Sequence, residues 1–130
     1  MALNRTVSEL KFMTEREWEG YLIRHLNKAG ALVFSVSSTA KRRNQAVDWP
    51  DLYICSRKWT GWLELKTGDR PLTKGQEKRL MQIENEGVRA YILRFKDGMY
   101  RIEKPIQGCV AAFVCEDPAA ELLNRLRAVG

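Results

Sequence analysis

The chain has 130 residues, of which 45% are hydrophobic and 29% charged, enough apolar mass to bury the core of one domain. No apolar run approaches the roughly 18 residues of a membrane span, and the first residues, to Thr14, lack the apolar centre of a signal peptide, so a cytoplasmic protein is expected. Lysine and arginine outnumber aspartate and glutamate 22 to 16, a formal net charge of +6 that favours a polyanionic partner; three cysteines with no Cys-x-x-Cys pair and a lone histidine, His25, argue against a disulfide framework or a histidine-based zinc centre.

Thr14-Glu15-Arg16-Glu17 reads as a capping box, with Thr14 as N-cap and Glu17 at the third helical position. The helix that follows runs to about Ala29, with Trp18, Tyr21, Leu22, His25, Leu26 and Ala29 on one stripe and Gly30 as its stop. Ala31 to Val36 is a strand, and Ser37 to Val47 a polar, basic loop. Asp51 to Cys55 and Gly61 to Lys66 are the next strands, joined by a turn around Ser56 to Trp59. After a loop over Thr67 to Pro71, Thr73-Lys74-Gly75-Gln76 gives a second capping box and a helix to about Glu86, stopped by Gly87. Val88 to Phe95 and Met99 to Glu103 form a hairpin around Lys96-Asp97-Gly98. The tail holds the apolar run Cys109 to Val114, then a helix from Asp117-Pro118 through Arg127. The order is helix, three strands, helix, two strands, helix, which predicts a single α/β domain over residues 1–130, layered around a mixed sheet.

Side chains alternate along a strand, so Glu64 and Lys66 share one face while Leu63 and Leu65 share the other. Asp51 opens the neighbouring strand. Two carboxylates and a lysine converging on a sheet can hold a hard divalent cation and orient a water, which is the equipment for cutting a phosphodiester bond. Trp62 falls on the Glu64 face, and Trp49 and Trp59 flank the same strands; packing is the favoured role for these rings, stacking on an unpaired base the other. Glu15 and Glu19 lie one turn apart on the first helix. The run Lys41-Arg42-Arg43 precedes the Asp51 strand and is expected at the mouth of the site. Lys74, Lys78 and Arg79 open the second helix, where backbone N–H groups also favour anions.

The ordered set Pro50-Asp51, Glu64-Leu65-Lys66 and Gln76, behind an acidic first helix, resembles the PD-(D/E)xK nuclease superfamily. Within it the stretch from Glu64 to Gln76 looks most like the small stand-alone VRR-NUC type of viruses and bacteria, and the similarity runs from about Thr14 to Phe95. The resemblance implies a restriction-endonuclease-like α-β-β-β-α-β core in a bacterial or phage-infected cell. It implies a Mg²⁺ ion, with Mn²⁺ as substitute, held by Asp51, Glu64 and the Leu65 carbonyl. It implies Lys66 acting on the attacking water, and Gln76 as an active-site glutamine. A first-helix glutamate joins the metal shell in the related junction resolvases. The spacing to Gly30 favours Glu19, with Glu15 as second choice. The activity implied is structure-specific cutting of branched DNA, such as Holliday junctions or flaps, by a homodimer. The tail beyond Ile106 is a candidate interface, through Val110 to Val114 and Leu122 to Leu126. The competing readings are a nucleic-acid-binding module without catalysis and an accessory subunit with solvated carboxylates; an RNA target is also open.

Overall fold

The computed structural model describes residues 14–36, 47–114 and 118–130. Among them, helix α1 spans Glu15–Lys28, strands β1, β2 and β3 span Leu32–Ser35, Leu52–Cys55 and Thr60–Thr67, and α2 spans Lys74–Asn85. Strands β4, β5 and β6 then span Ala90–Lys96, Met99–Lys104 and Gly108–Phe113, and α3 spans Pro118–Val129. The six strands form one sheet in chain order. Every neighbouring pair is antiparallel except β3–β4, which is parallel across the α2 crossover. The mixed sheet between helical layers is thus as expected, with one strand more. The run ending at Phe113 pairs with β5 through a register shift at Ile102/Glu103.

Both predicted N-caps form. The Thr14 hydroxyl accepts the Glu17 N–H at 3.1 Å and sits 3.1 Å from the Glu17 carboxylate, to which it donates. At α2 the box is complete, with Thr73 and Gln76 exchanging both bonds. Gly30, at φ +93°, ends α1 in the left-handed region that glycine enters without strain. Asp97 and Gly98, both at positive φ, make the tight β4–β5 turn.

The alternation in β3 divides the molecule. Leu63 and Leu65 face the larger core, with Trp18, Leu22 and Leu26 of α1, Leu52 and Ile54 of β2, and Leu122 and Leu126 of α3. The opposite face carries α2, whose Leu80 and Ile83 pack on Ala90, Ile92 and Trp62. Truncating one of the fully buried leucines to alanine costs about 2–5 kcal/mol in such a core. One expectation is corrected by this packing. Leu122, Leu123 and Leu126 are buried, so α3 offers no apolar surface there; the exposed large apolar groups among the described residues of the tail are Ile106, Val110 and Val114. Cys55 and Cys109 are free and exposed. No described helix is long and apolar enough to cross a membrane.

Candidate active site

The β2–β3 ladder stops at Leu52–Leu63, while β3 runs on to Thr67 along β4. From Glu64 onward the β2-side edge of β3 is therefore open. Asp51, one residue before β2, fills this gap: its Oδ2 accepts the Leu65 N–H at 2.8 Å. The N–H and C=O of one strand residue point to the same side. The Leu65 carbonyl is therefore directed to the edge where Asp51 sits. The Asp51 position is itself fixed from the other side, since its backbone carbonyl accepts the Val36 N–H.

Glu64 and Lys66 lie on the α2 face and are 3% and 4% exposed. Lys66 Nζ is 3.9 Å from Glu64 Oε2, an ion pair withdrawn from water. Gln76 reaches the same oxygen: Nε2 donates to Glu64 Oε2 at 3.4 Å, while Oε1 accepts the Thr73 N–H at 3.0 Å. The cap decides which end of this amide faces the site, because a flipped amide would set its NH₂ against the Thr73 N–H. Gln76 is thus at once the N-cap partner of α2 and a contact of the buried carboxylate.

The first-helix glutamates approach from the other side of the sheet. Glu19 accepts from the Ser35 hydroxyl at 2.8 Å, beside the Val36–Asp51 bond. Glu15 accepts from Arg70 at 2.8 Å and from the Thr67 hydroxyl at 3.3 Å. Ser35 and Thr67 both point to the α1 face, opposite Glu64 and Lys66. The structure therefore brings Asp51, the Leu65 backbone, Glu64, Lys66 and Gln76 together, and holds Glu15 and Glu19 at the rim. Among the described residues no group of three or more histidine, cysteine or acidic side chains is gathered as a metal cluster. Two carboxylates and a carbonyl, completed by waters and substrate oxygens, still fit Mg²⁺, which commonly takes only one or two protein carboxylates.

Lys74 and Lys78 are exposed on the opening turns of α2. Lys41, Arg42 and Arg43 lie outside the described residues. Asp48 and Asp69 read in the sequence as solvated loop carboxylates near the site and Arg94 has no reading; the structure gives all three specific contacts. Asp48 lies against Gly75 so closely that a Cβ there would overlap its carboxylate; the glycine in the first turn of α2 was the available signal. Arg94 pairs through Nε with both Glu103 oxygens, at 3.1 and 3.0 Å, and donates from one terminal nitrogen to the carbonyls of Gly68 and Arg70, both at 2.8 Å. It braces the loop that carries the Arg70 partner of Glu15. Asp69, in that loop, has its carboxyl held below the usual range by the Lys96 ammonium beside it.

The backbone is similar to that of Hjc, a Holliday junction resolvase from the archaeal hyperthermophile Archaeoglobus fulgidus, with a TM-score of 0.53. The likeness covers 83% of this chain and 88% of the resolvase, at 16% sequence identity. The fold is restriction-endonuclease-like. The sequence matches no protein-family model and no curated protein. At this identity the likeness concerns the fold.

Proposed function

We propose that this protein is a metal-dependent endonuclease of the PD-(D/E)xK type, closest in motif order to the VRR-NUC family, hydrolysing phosphodiester bonds in branched DNA. The observation that carries this is the burial of Glu64 and Lys66 under Gln76, beside the open edge that Asp51 occupies. A buried ion pair on a sheet face stabilises a fold no better than apolar side chains of the same size. Its presence there is best explained by chemistry. Asp51, Glu64 and the Leu65 carbonyl would hold Mg²⁺ or Mn²⁺, with Glu19 as the favoured additional oxygen and Glu15, tied to Arg70, as the other. The ion would supply charge neutralisation at the reacting phosphate and a more acidic water. Lys66 would hold that water in line and donate to a non-bridging phosphate oxygen. Gln76 would fix the Glu64 carboxylate through one amide hydrogen and offer the other to the water. Lys74 and Lys78, with Lys41, Arg42 and Arg43, would contact phosphates in a salt-dependent manner.

Branched DNA is supported by the fold shared with a junction resolvase and by the basic balance of the chain. A homodimer follows from the two cuts that a four-way junction requires. The test is cleavage of a labelled four-way junction, flap, single strand and duplex in Mg²⁺, Mn²⁺ or EDTA, by wild type, Glu64→Ala and Lys66→Ala. Metal-dependent cutting that both variants lose supports the reading. Metal-independent binding with no cutting by the wild type sinks it.

A further inference from the structure

The face that bears Glu64 and Lys66 also bears a row of aromatic rings. Phe34 pairs with Tyr53 across β1–β2, and Tyr53 with Trp62 across β2–β3. Directly opposed residues in antiparallel strands lie on one face, so the three rings form a line across three strands. Tyr53 and Trp62 have ring centroids 5.0 Å apart, and Trp49 stands 5.3 Å from Trp62. The Arg79 guanidinium lies 4.7 Å over the Trp49 ring. Among the described residues the row is exposed at its β1 end: Phe34 is 61% exposed and its same-face neighbour Leu32 is 72% exposed. At its other end Trp49, Trp62 and Arg79 line a cleft of about 460 Å³ together with Gln82 and Ile83 of α2, its C-cap Glu86, and Val88.

We propose that this row is a stacking platform for unpaired nucleobases of the strand held at the Asp51–Glu64 site. The inference rests on the nuclease reading above and deepens it. Three observations favour nucleobases over an apolar protein segment. Tyr53 is two residues from Asp51 and Trp62 two from Glu64, so the strand positions that carry the rings lie about 7 Å along from those that carry the carboxylates, on the order of one nucleotide. The chain carries a net +6, and Arg79 adds a cation to the platform itself, which complements a phosphate backbone and disfavours a cationic peptide. A π face accepts any base, and the Gln82 amide and Glu86 carboxylate that line the cleft offer base edges a donor and acceptors. Flaps and splayed junctions supply unpaired bases beside the bond to be cut.

The experiment measures binding in EDTA by tryptophan fluorescence, using a flap and a short single strand, each with an abasic version of equal phosphate count. The wild type should be quenched by, and bind about tenfold more tightly to, the base-bearing strand, the usual weight of one stacked base. Phe34→Ala, at an exposed position, should weaken that strand several-fold. It should leave the abasic strand and the salt slope unchanged, because phosphate contacts are untouched. Equal affinity for base-bearing and abasic strands, or no binding of either, overturns the platform. So does a dimer that Phe34→Ala dissolves while base preference is absent, which assigns the face to a second copy of the chain. Cutting by a base-blind protein removes the platform and keeps the nuclease. Base-dependent binding without metal-dependent cutting keeps the platform and removes the nuclease.

Discussion

Gln76→Glu separates two roles that one amide now fills. Glutamate at the third helical position is itself a capping-box residue, so the bond to the Thr73 N–H should persist and α2 should stay formed. On the other side, the amide hydrogen that reaches Glu64 Oε2 at 3.4 Å is replaced by a carboxylate oxygen. Two unit charges at that separation repel by about 5 kcal/mol at an effective dielectric of ~20. Close carboxylates escape this cost by sharing a proton. The folded variant should therefore hold more protons than its unfolded chain above the ordinary carboxylate range, and stability falls with pH wherever that is so. At low pH, Gln76→Glu should match the wild type; toward neutrality it should lose stability progressively. Gln76→Ala should behave differently, with a loss of about 1 kcal/mol from the cap at every pH, or roughly 3–5 °C in Tm for a chain of this size, to which the lost bond to Glu64 adds only where that carboxylate is charged. Mg²⁺ should raise the Tm of Gln76→Glu more than that of the wild type, since it neutralises the pair. Thermal unfolding over a pH series, with and without Mg²⁺, reads all of this. A Gln76→Glu loss that is the same at acidic and neutral pH would refute the argument.

The other predictions concern separate contacts. Replacing the buried pair together, Glu64→Leu with Lys66→Met, should leave stability equal to wild type or higher in urea titrations, while removal of one partner costs about 3–5 kcal/mol; cutting should be lost throughout. Gly75→Ala should fail to stabilise the wild type but gain about 0.5–1 kcal/mol in an Asp48→Ala background, and additivity in that cycle would show that the two residues do not touch. Arg94→Ala should cost about 2–3 kcal/mol by releasing the loop carbonyls and the Glu103 carboxylate, and a loss under ~1 kcal/mol would mean the loop holds without it. Asp69 should titrate below the usual carboxylate range in an NMR experiment and return upward in Lys96→Ala; the small stabilisation it gives is present above the ordinary range and disappears as pH falls through its own pKa.

Much of this was legible along the chain because it is local. The N-cap at Thr14, the capping box at Thr73, the α1 stripe and the face shared by Trp62, Glu64 and Lys66 follow from spacing alone. The contacts that complete the site depend on how elements meet. Asp51 finds the Leu65 N–H only because the β2–β3 ladder stops one residue short of it, and that register is not written in either strand. The Gln76–Glu64 bond needs the height of α2 over the sheet. Strand β6 is not marked as a strand in the sequence because Ala111-Ala112 interrupts the strand-favouring Val110 and Phe113, and the run gains its state from pairing with β5. Arg94 reads as an ordinary strand residue until the loop it braces is folded beside it.

The division of β3 by odd and even positions has an evolutionary consequence. One parity carries the leucines that close the core, the other the charged and aromatic groups of the α2 face. Inserting or deleting a single residue between Trp62 and Lys66 would exchange the two sets and turn carboxylate and ammonium into the interior. Paired or compensated length changes can be absorbed there, and length changes outside β3 leave the division intact where the carbonyls braced by Arg94, the Thr73 cap and the buried Trp59 keep their places. Divergence among proteins built this way should therefore accumulate as substitutions inside β3 and as insertions outside it.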